Sequence, residues 1–141
     1  MKEIAIITGA SSGIGYELSM LFAQDKKDIL IVARDEEKLL KIKNSIEDQY
    51  KTKVYVVATD LSKQEGINTV KEAVRANDLM VSELVNNAGF GEYGPFIERE
   101  MDKYREMIQL NILSLTELSY HFGKEMVKRG KGRILNVASM A

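Results

Sequence analysis

Apolar and polar positions along this chain follow two alternating rhythms. Short β-branched runs at residues 4–8, 29–33, 54–58, 83–86 and 133–138 read as strands. Between them lie longer stretches whose apolar residues return every three or four positions, the repeat of one helical face. Ile14, Leu18, Leu21 and Phe22 share such a face in the first stretch, Leu39, Ile42 and Ile46 in the second, and Ile67, Val70 and Val74 in the third. The fourth is the longest, with Met101, Tyr104, Ile108, Asn111, Leu115, Leu118 and Phe122 in one stripe. Gly130 and Gly132 end it, where a left-handed cap residue is expected. Strands that strictly alternate with helices make βαβ units, so the fold class expected is α/β, a doubly wound parallel sheet with helices on both faces. Its five strands are expected in the order 3-2-1-4-5, in a single domain over residues 1–141. The sequence closes on the fifth strand with no helix to cross over it, and a sheet of this kind carries further strands. The expectation is a chain truncated after that strand, which would otherwise be an open apolar edge.

Composition narrows the chemistry. Lys and Arg total 20 against 21 for Asp and Glu, a net charge of −1. That balance lacks the basic excess of proteins that bind nucleic acid or a membrane surface, so neither is expected as a partner. With Cys 0, disulfides, thiolate metal sites and cysteine nucleophiles are all removed, and no metal site is expected. The apolar run at residues 4–7 is too short for a signal-peptide core or a membrane span, and a cytoplasmic protein is expected.

The segment Thr8-Gly9-Ala10-Ser11-Ser12-Gly13-Ile14-Gly15 follows the first strand and opens the first helix. Glycines there let the backbone turn sharply and come close to a pyrophosphate, while the helix N-terminus offers free N–H groups and partial positive charge. The spacing is G-x-x-x-G-x-G rather than the general G-x-G-x-x-G fingerprint. A tight strand-to-helix turn without a ligand is the plainer alternative. Its place at the start of a βαβ unit favours nucleotide binding.

Several motifs, in order, resemble the short-chain dehydrogenase/reductase family. The loop over residues 8–15 matches the family's T-G-x-x-x-G-x-G, and Asp60-Leu61 matches the acidic segment that meets the adenine ring. Asn86-Asn87-Ala88-Gly89 matches its N-N-A-G segment, Asn111 its catalytic asparagine and Ser139 its catalytic serine. The resemblance covers the whole chain. It implies a Rossmann-type domain and an NAD(P)-dependent oxidoreductase moving hydride between a nicotinamide and a small carbonyl or alcohol substrate. It also implies cofactor contacts at Gly9, Ser11, Ser12, Gly13, Ile14, Gly15, Asp60, Leu61, Asn87, Ala88 and Gly89. Asn111 would hold a water in a proton relay, and Ser139 would hydrogen-bond the substrate oxygen. A homo-oligomer is expected, because family members commonly dimerise through the long fourth helix, where Leu110 and Leu113 lie off the main stripe.

The second strand's end bears on which dinucleotide binds. Arg34 lies where a guanidinium could clamp a 2′-phosphate bidentately. The neighbouring Asp35 could instead accept hydrogen bonds from the ribose hydroxyls, as in NAD enzymes. Read as the N-cap of the next helix, with Glu36 and Glu37 in its first turn, Asp35 leaves Arg34 as the selector. NADP(H) is therefore expected over NAD(H).

Asn111 interrupts an apolar stripe, so it is expected to be buried and to need partners, either in a structural bond to a nearby loop or in the relay. The family's acid/base is a Tyr-x-x-x-Lys pair beyond the serine strand, and only Met140 and Ala141 follow Ser139. Hydride reduction needs a proton donor at the oxygen, so this chain is expected to be inactive or nearly so. Tyr120-His121-Phe122-Gly123-Lys124 fits the pattern but lies nine residues beyond Asn111 on the same helix, about 900° around it. It is read as a coincidence, with His121 as ordinary packing or surface. Lys128, Arg129, Lys131 and Arg133 are read as complements to the helix C-terminus. A non-catalytic nucleotide-binding module and a self-associating fragment remain the alternative readings.

Overall fold

The computed structural model describes residues 1–138. Strands β1 (Lys2–Thr8), β2 (Asp28–Ala33), β3 (Val54–Ala58), β4 (Leu79–Asn86) and β5 (Arg133–Asn136) form one sheet in the order β3-β2-β1-β4-β5. Every neighbouring pair is parallel. The order turns back at β1, between β2 and β4, which opens a crevice beyond the carboxyl ends of the strands. Helices cover both faces, so the central strands carry near-continuous apolar runs. On one face, Ile4, Ile6, Leu30 and Leu84 pack under α3 (Gln64–Ala76) and α5 (Leu115–Arg129) through Ile67, Val70, Leu118 and Phe122. On the other, Ala5, Ile7, Ile29 and Ile31 pack under α1 (Gly13–Gln24) and α2 (Glu36–Tyr50) through Ala23, Leu39, Ile42 and Ile46. Successive strand residues feed alternate layers, as the pleat requires.

The apolar faces expected for α2 and α3 are the buried ones. That of α1 is not. Ile14 is 58% exposed and Leu21 55%, while the buried positions are Gly15, Ser19 and Ala23. The helix lies too close to the sheet for larger side chains: a Cβ on Gly15 would stand 2.2 Å from the Gly9 carbonyl oxygen. The Ser19 hydroxyl folds back to donate to the Gly15 carbonyl at 2.8 Å. Leu18 and Phe22 are half-buried at the flank.

β4 begins at Leu79, earlier than the apolar alternation predicts, because a bulge disturbs it. Ile4 pairs with Val81 but Ala5 with Glu83, leaving Ser82 as the extra residue. The Ser82 hydroxyl donates to the Ile4 carbonyl at 3.2 Å, and Lys27 reaches the buried Glu83 carboxylate at 2.8 Å. β5 is shorter than expected and ends where Asn136 pairs with Asn86.

The long fourth helix is also not uniform. α4 (Met101–Ile108) runs into a π-type turn (Gln109–Ser114) and on into α5. A π turn inserts about one residue, or roughly 100° of phase, so a stripe counted straight through it cannot stay on one face. Met101 and Ile108 of the expected stripe are accordingly exposed, and the core face is Ser114, Leu118, Phe122 and Met126.

The packing of α1 predicts opposite outcomes for two conservative changes. Ala23→Leu should overpack the helix–sheet contact and cost about 1–3 kcal/mol in urea unfolding. Leu21→Ala on the same helix should change stability by no more than about 0.5 kcal/mol. The reverse ranking would show that the apolar face reads correctly and the close contact does not.

Candidate functional site

The crevice is built where the tips of β1 and β4 are tied together. The buried Thr8 hydroxyl accepts hydrogen bonds from the Asn87 and Ala88 N–H groups, each at 2.9 Å, and donates to the Val85 carbonyl at 3.3 Å. Asn87 returns the connection by donating its side-chain amide to the Gly9 carbonyl at 3.1 Å. Backbone bonds tie the turns after β1 and β3 to β2, Ala10 N–H to the Val32 carbonyl and Thr59 N–H to the Ala33 carbonyl.

Two of the helices that start at this edge, α1 and α2, have opposite electrostatics. α2 is capped by its own sequence: the Asp35 carboxylate accepts from Lys38 N–H at 3.1 Å, and Glu36 and Glu37 occupy the first turn. This is the N-cap role expected of Asp35. α1 has no acid in its first turn, and its N-cap residue, Ser12, makes no side-chain cap bond. Its first N–H groups are therefore left to a ligand or to water, and the positive end of its dipole is uncompensated.

Above that N-terminus lies a cleft of about 770 Å³. Its walls include Gly9, Ser11, Ser12, Ile14, Arg34, Asp60, Leu61, Asn87, Ala88 and Gly89. Gly13 and Gly15 do not line it. Gly13 opens the helix with φ 57, and Gly15 sits behind the wall, where it lets α1 approach β1. Their contribution to the cleft is to its shape.

Asn111 is half-buried behind the cleft and does not line it. Its side-chain oxygen accepts from Phe90 N–H at 3.0 Å and its amide donates to the Phe90 carbonyl at 2.7 Å. A Cβ on Gly89 would stand 2.5 Å from that oxygen, so the glycine admits the asparagine. The structural bond to a neighbouring loop that the sequence left open is thus present. Ser139 lies outside the described residues.

A family model described as short chain dehydrogenase matches residues 3–141. The chain belongs to the short-chain dehydrogenases. It is 28% identical over 143 residues to the very-long-chain 3-oxoacyl-CoA reductase of Homo sapiens, covering 99% of this chain and 45% of that protein. Among solved structures, a short-chain dehydrogenase from Sphingobium yanoikuyae in complex with NADPH matches with a TM-score of 0.91 and 30% identity, over 99% of this chain and 54% of that one. The L-sorbose reductase from Gluconobacter frateurii, complexed with NADPH and L-sorbose, matches with a TM-score of 0.92 and 32% identity, over 99% and 53%. The chain spans about half the length of the curated relatives it matches.

Some cleft residues of this short-chain dehydrogenase were not legible as such. Phe90, Glu92, Lys103, Glu106 and Leu110 also line it. Leu110, read from sequence as a contact for a second subunit, is committed to the cleft and the core beside it, while Leu113 is exposed. Lys103 and Glu106 stand seven and four residues before Leu110 in the α4–π segment, a spacing that could have placed them on its side. The loop carrying Glu92 is held by Arg99, which pairs with that carboxylate and with the Tyr93 carbonyl, and by Tyr104, which donates to the Phe96 carbonyl at 2.6 Å. The Tyr120–Lys124 pair lies elsewhere: Tyr120 is 66% exposed and the Lys124 ammonium sits 5.1 Å from its ring centroid. His121 packs edge-on against Phe122, and burial holds its imidazole below the ordinary value. Lys128 and Lys131 pair with Glu125 and Glu3, and Arg129 reaches the Val81 carbonyl, so none of these faces the cleft.

Burial raises the Asp60 carboxyl, but more than compensating are the hydroxyl and N–H of Ser62, at 2.7 and 2.9 Å, and the charges of Arg34 and Lys63. Its value lies below that of a free aspartate, so the unfolded chain binds the proton more readily. The stability Asp60 contributes is fully present above the unfolded value, near 4, and is lost as pH falls through the folded one. In acid titrations followed by circular dichroism, Asp60→Asn should start less stable at neutral pH and converge with the parent as pH drops. Curves that stay parallel would mean that these bonds do not favour the carboxylate.

Proposed function

We propose that the cleft binds NADP(H), and that the chain is the cofactor-binding portion of an oxidoreductase acting on a carbonyl or alcohol. The observation that carries this reading is the uncapped, acid-free N-terminus of α1 facing a cleft of about 770 Å³, which is dinucleotide-sized. Gly9, Ser11, Ser12 and Ile14, with the N–H groups of the first turn, would hold the pyrophosphate. Asp60 and Leu61 would meet the adenine, and Asn87, Ala88 and Gly89 would line the path toward the nicotinamide. A bound nicotinamide would supply or accept the hydride. Arg34, exposed at the rim, has its neighbour Asp35 engaged with α2, which supports a 2′-phosphate contact. The NADPH bound by the Sphingobium and Gluconobacter proteins supports the same choice.

Asn111 and Ser139 are proposed as the part of the catalytic set that this chain carries. A Tyr-x-x-x-Lys pair facing the cleft is lacking among the described residues, so these 141 residues alone should not turn over substrate. A cytoplasmic homo-oligomer is proposed, with the exposed Ile112 and Leu113 as contact candidates. A non-catalytic nucleotide-binding module is the second reading, and the commitment of both Asn111 amide atoms to Phe90 favours it.

Calorimetric titration separates these. NADPH should bind saturably and more tightly than NADH, and Arg34→Ala should weaken NADPH by about tenfold or more, the worth of a charged hydrogen bond, while leaving NADH unchanged. Tighter NADH binding, or an Arg34→Ala variant with unaltered NADPH affinity, would overturn the cofactor assignment. Brisk reduction of simple ketones by this chain with NADPH would overturn the expected inactivity.

A further inference from the structure

Ser114 has no place in the motifs read above, yet it is one of the few buried polar residues, 2% exposed at the end of the π turn. Its hydroxyl donates to the carbonyl of Leu61 in the turn between β3 and α3. Leu61 is itself buried and forms the cleft wall beside Asp60, whose carboxylate is held by Ser62. Three residues before Ser114, in the same turn, Asn111 grips both backbone polar atoms of Phe90 at the opposite part of the cleft. Leu110, also in this turn, lines the cleft between them. One six-residue turn therefore holds the backbone of two cleft loops.

We propose that Ser114 is a positioning residue for the adenine end of the cofactor cleft, setting the Leu61 backbone and coupling it through the π turn to Asn111 and the Phe90 loop. The inference rests on the reading of the cleft as a dinucleotide site. Its physical basis is geometric. A hydroxyl fixed on a buried helix fixes the carbonyl it donates to, and with it the plane of the peptide that presents Ser62 N–H to Asp60. Ser114 and Asn111 lie three residues apart in one six-residue turn, so a displacement of that turn moves both anchors together.

The test uses the full chain and two half-cofactor probes, adenosine 2′,5′-bisphosphate and reduced nicotinamide mononucleotide, titrated by calorimetry and by amide NMR shifts. Ser114→Val removes the hydroxyl at the volume of Thr, and Ser114→Thr retains it. The bisphosphate should bind Ser114→Val about three- to tenfold more weakly than the parent, with Ser114→Thr restoring most of the loss and the mononucleotide little affected. A purely structural role would weaken both probes alike, without rescue by Thr, and would overturn the proposal. Asn111→Ala should alter bisphosphate affinity in the parent but much less in Ser114→Val; additive effects would overturn the coupling. If Ser114→Val does not fold, amide exchange on the parent decides. Bisphosphate should slow exchange at residues 61–63 and 111–115 together, and protection confined to 61–63 would overturn the proposal. A parent that binds neither NADPH nor the bisphosphate would overturn the dinucleotide reading itself, and this inference with it, whereas normal parent binding with an indifferent Ser114→Val would overturn this inference alone.

Discussion

The crevice depends on how closely the first strand–helix turn can lie against the tip of β4. Thr8 takes up the two N–H groups of Asn87 and Ala88, Asn87 closes the loop on the Gly9 carbonyl, and Gly15 leaves room for both. Without these bonds the N–H groups at the strand tips would be buried unpaired, a cost of about 1–3 kcal/mol each. With them, two loops separated by most of the chain become one rigid rim. The uncapped end of α1 is then held at a fixed height above the sheet, so its dipole and free N–H groups act on the same volume of the cleft.

The same closeness explains what the sequence could and could not tell. Strands were legible because β-branched runs buried on both faces leave a plain signal, and α2 and α3 because ordinary distances from the sheet call for large apolar residues. For α1 that rule misleads. This helix lies closer to the sheet than α2 and α3 do, so the informative residues are the small ones, Gly15, Ser19 and Ala23, and the large apolar ones face outward or sit at the flank. The early start of β4 was hidden by the Ser82 bulge, which shifts the register by one residue. The π turn was hidden because apolar spacing of three and four continues through it.

Among residues that line the cleft, the ones legible from sequence were those in contiguous motifs that shape the backbone. Gly9, Ser11, Ser12 and Ile14 line the cleft from one loop, and Asn87, Ala88 and Gly89 from another. Glu92, Lys103 and Glu106 reach it from a segment whose placement depends on Arg99 and Tyr104, and no local pattern announces such tertiary ties. Asn111 was found for its polarity in an apolar stripe, although the reason for its burial, a bidentate grip on Phe90, belongs to the fold.

The strand order also governs how the chain is made. β1 pairs with β2, and β2 with β3, so three of the five strands can assemble once Ala58 has emerged. The other side of β1 must wait for β4, since Ala5, Ile6 and Ile7 pair with Glu83, Leu84 and Val85. Until then the strand that becomes the centre of the protein is an apolar edge with unpaired backbone groups, the kind of surface that recruits strands from other chains. The interval of that exposure is the time translation takes to cross α3 and reach Asn86.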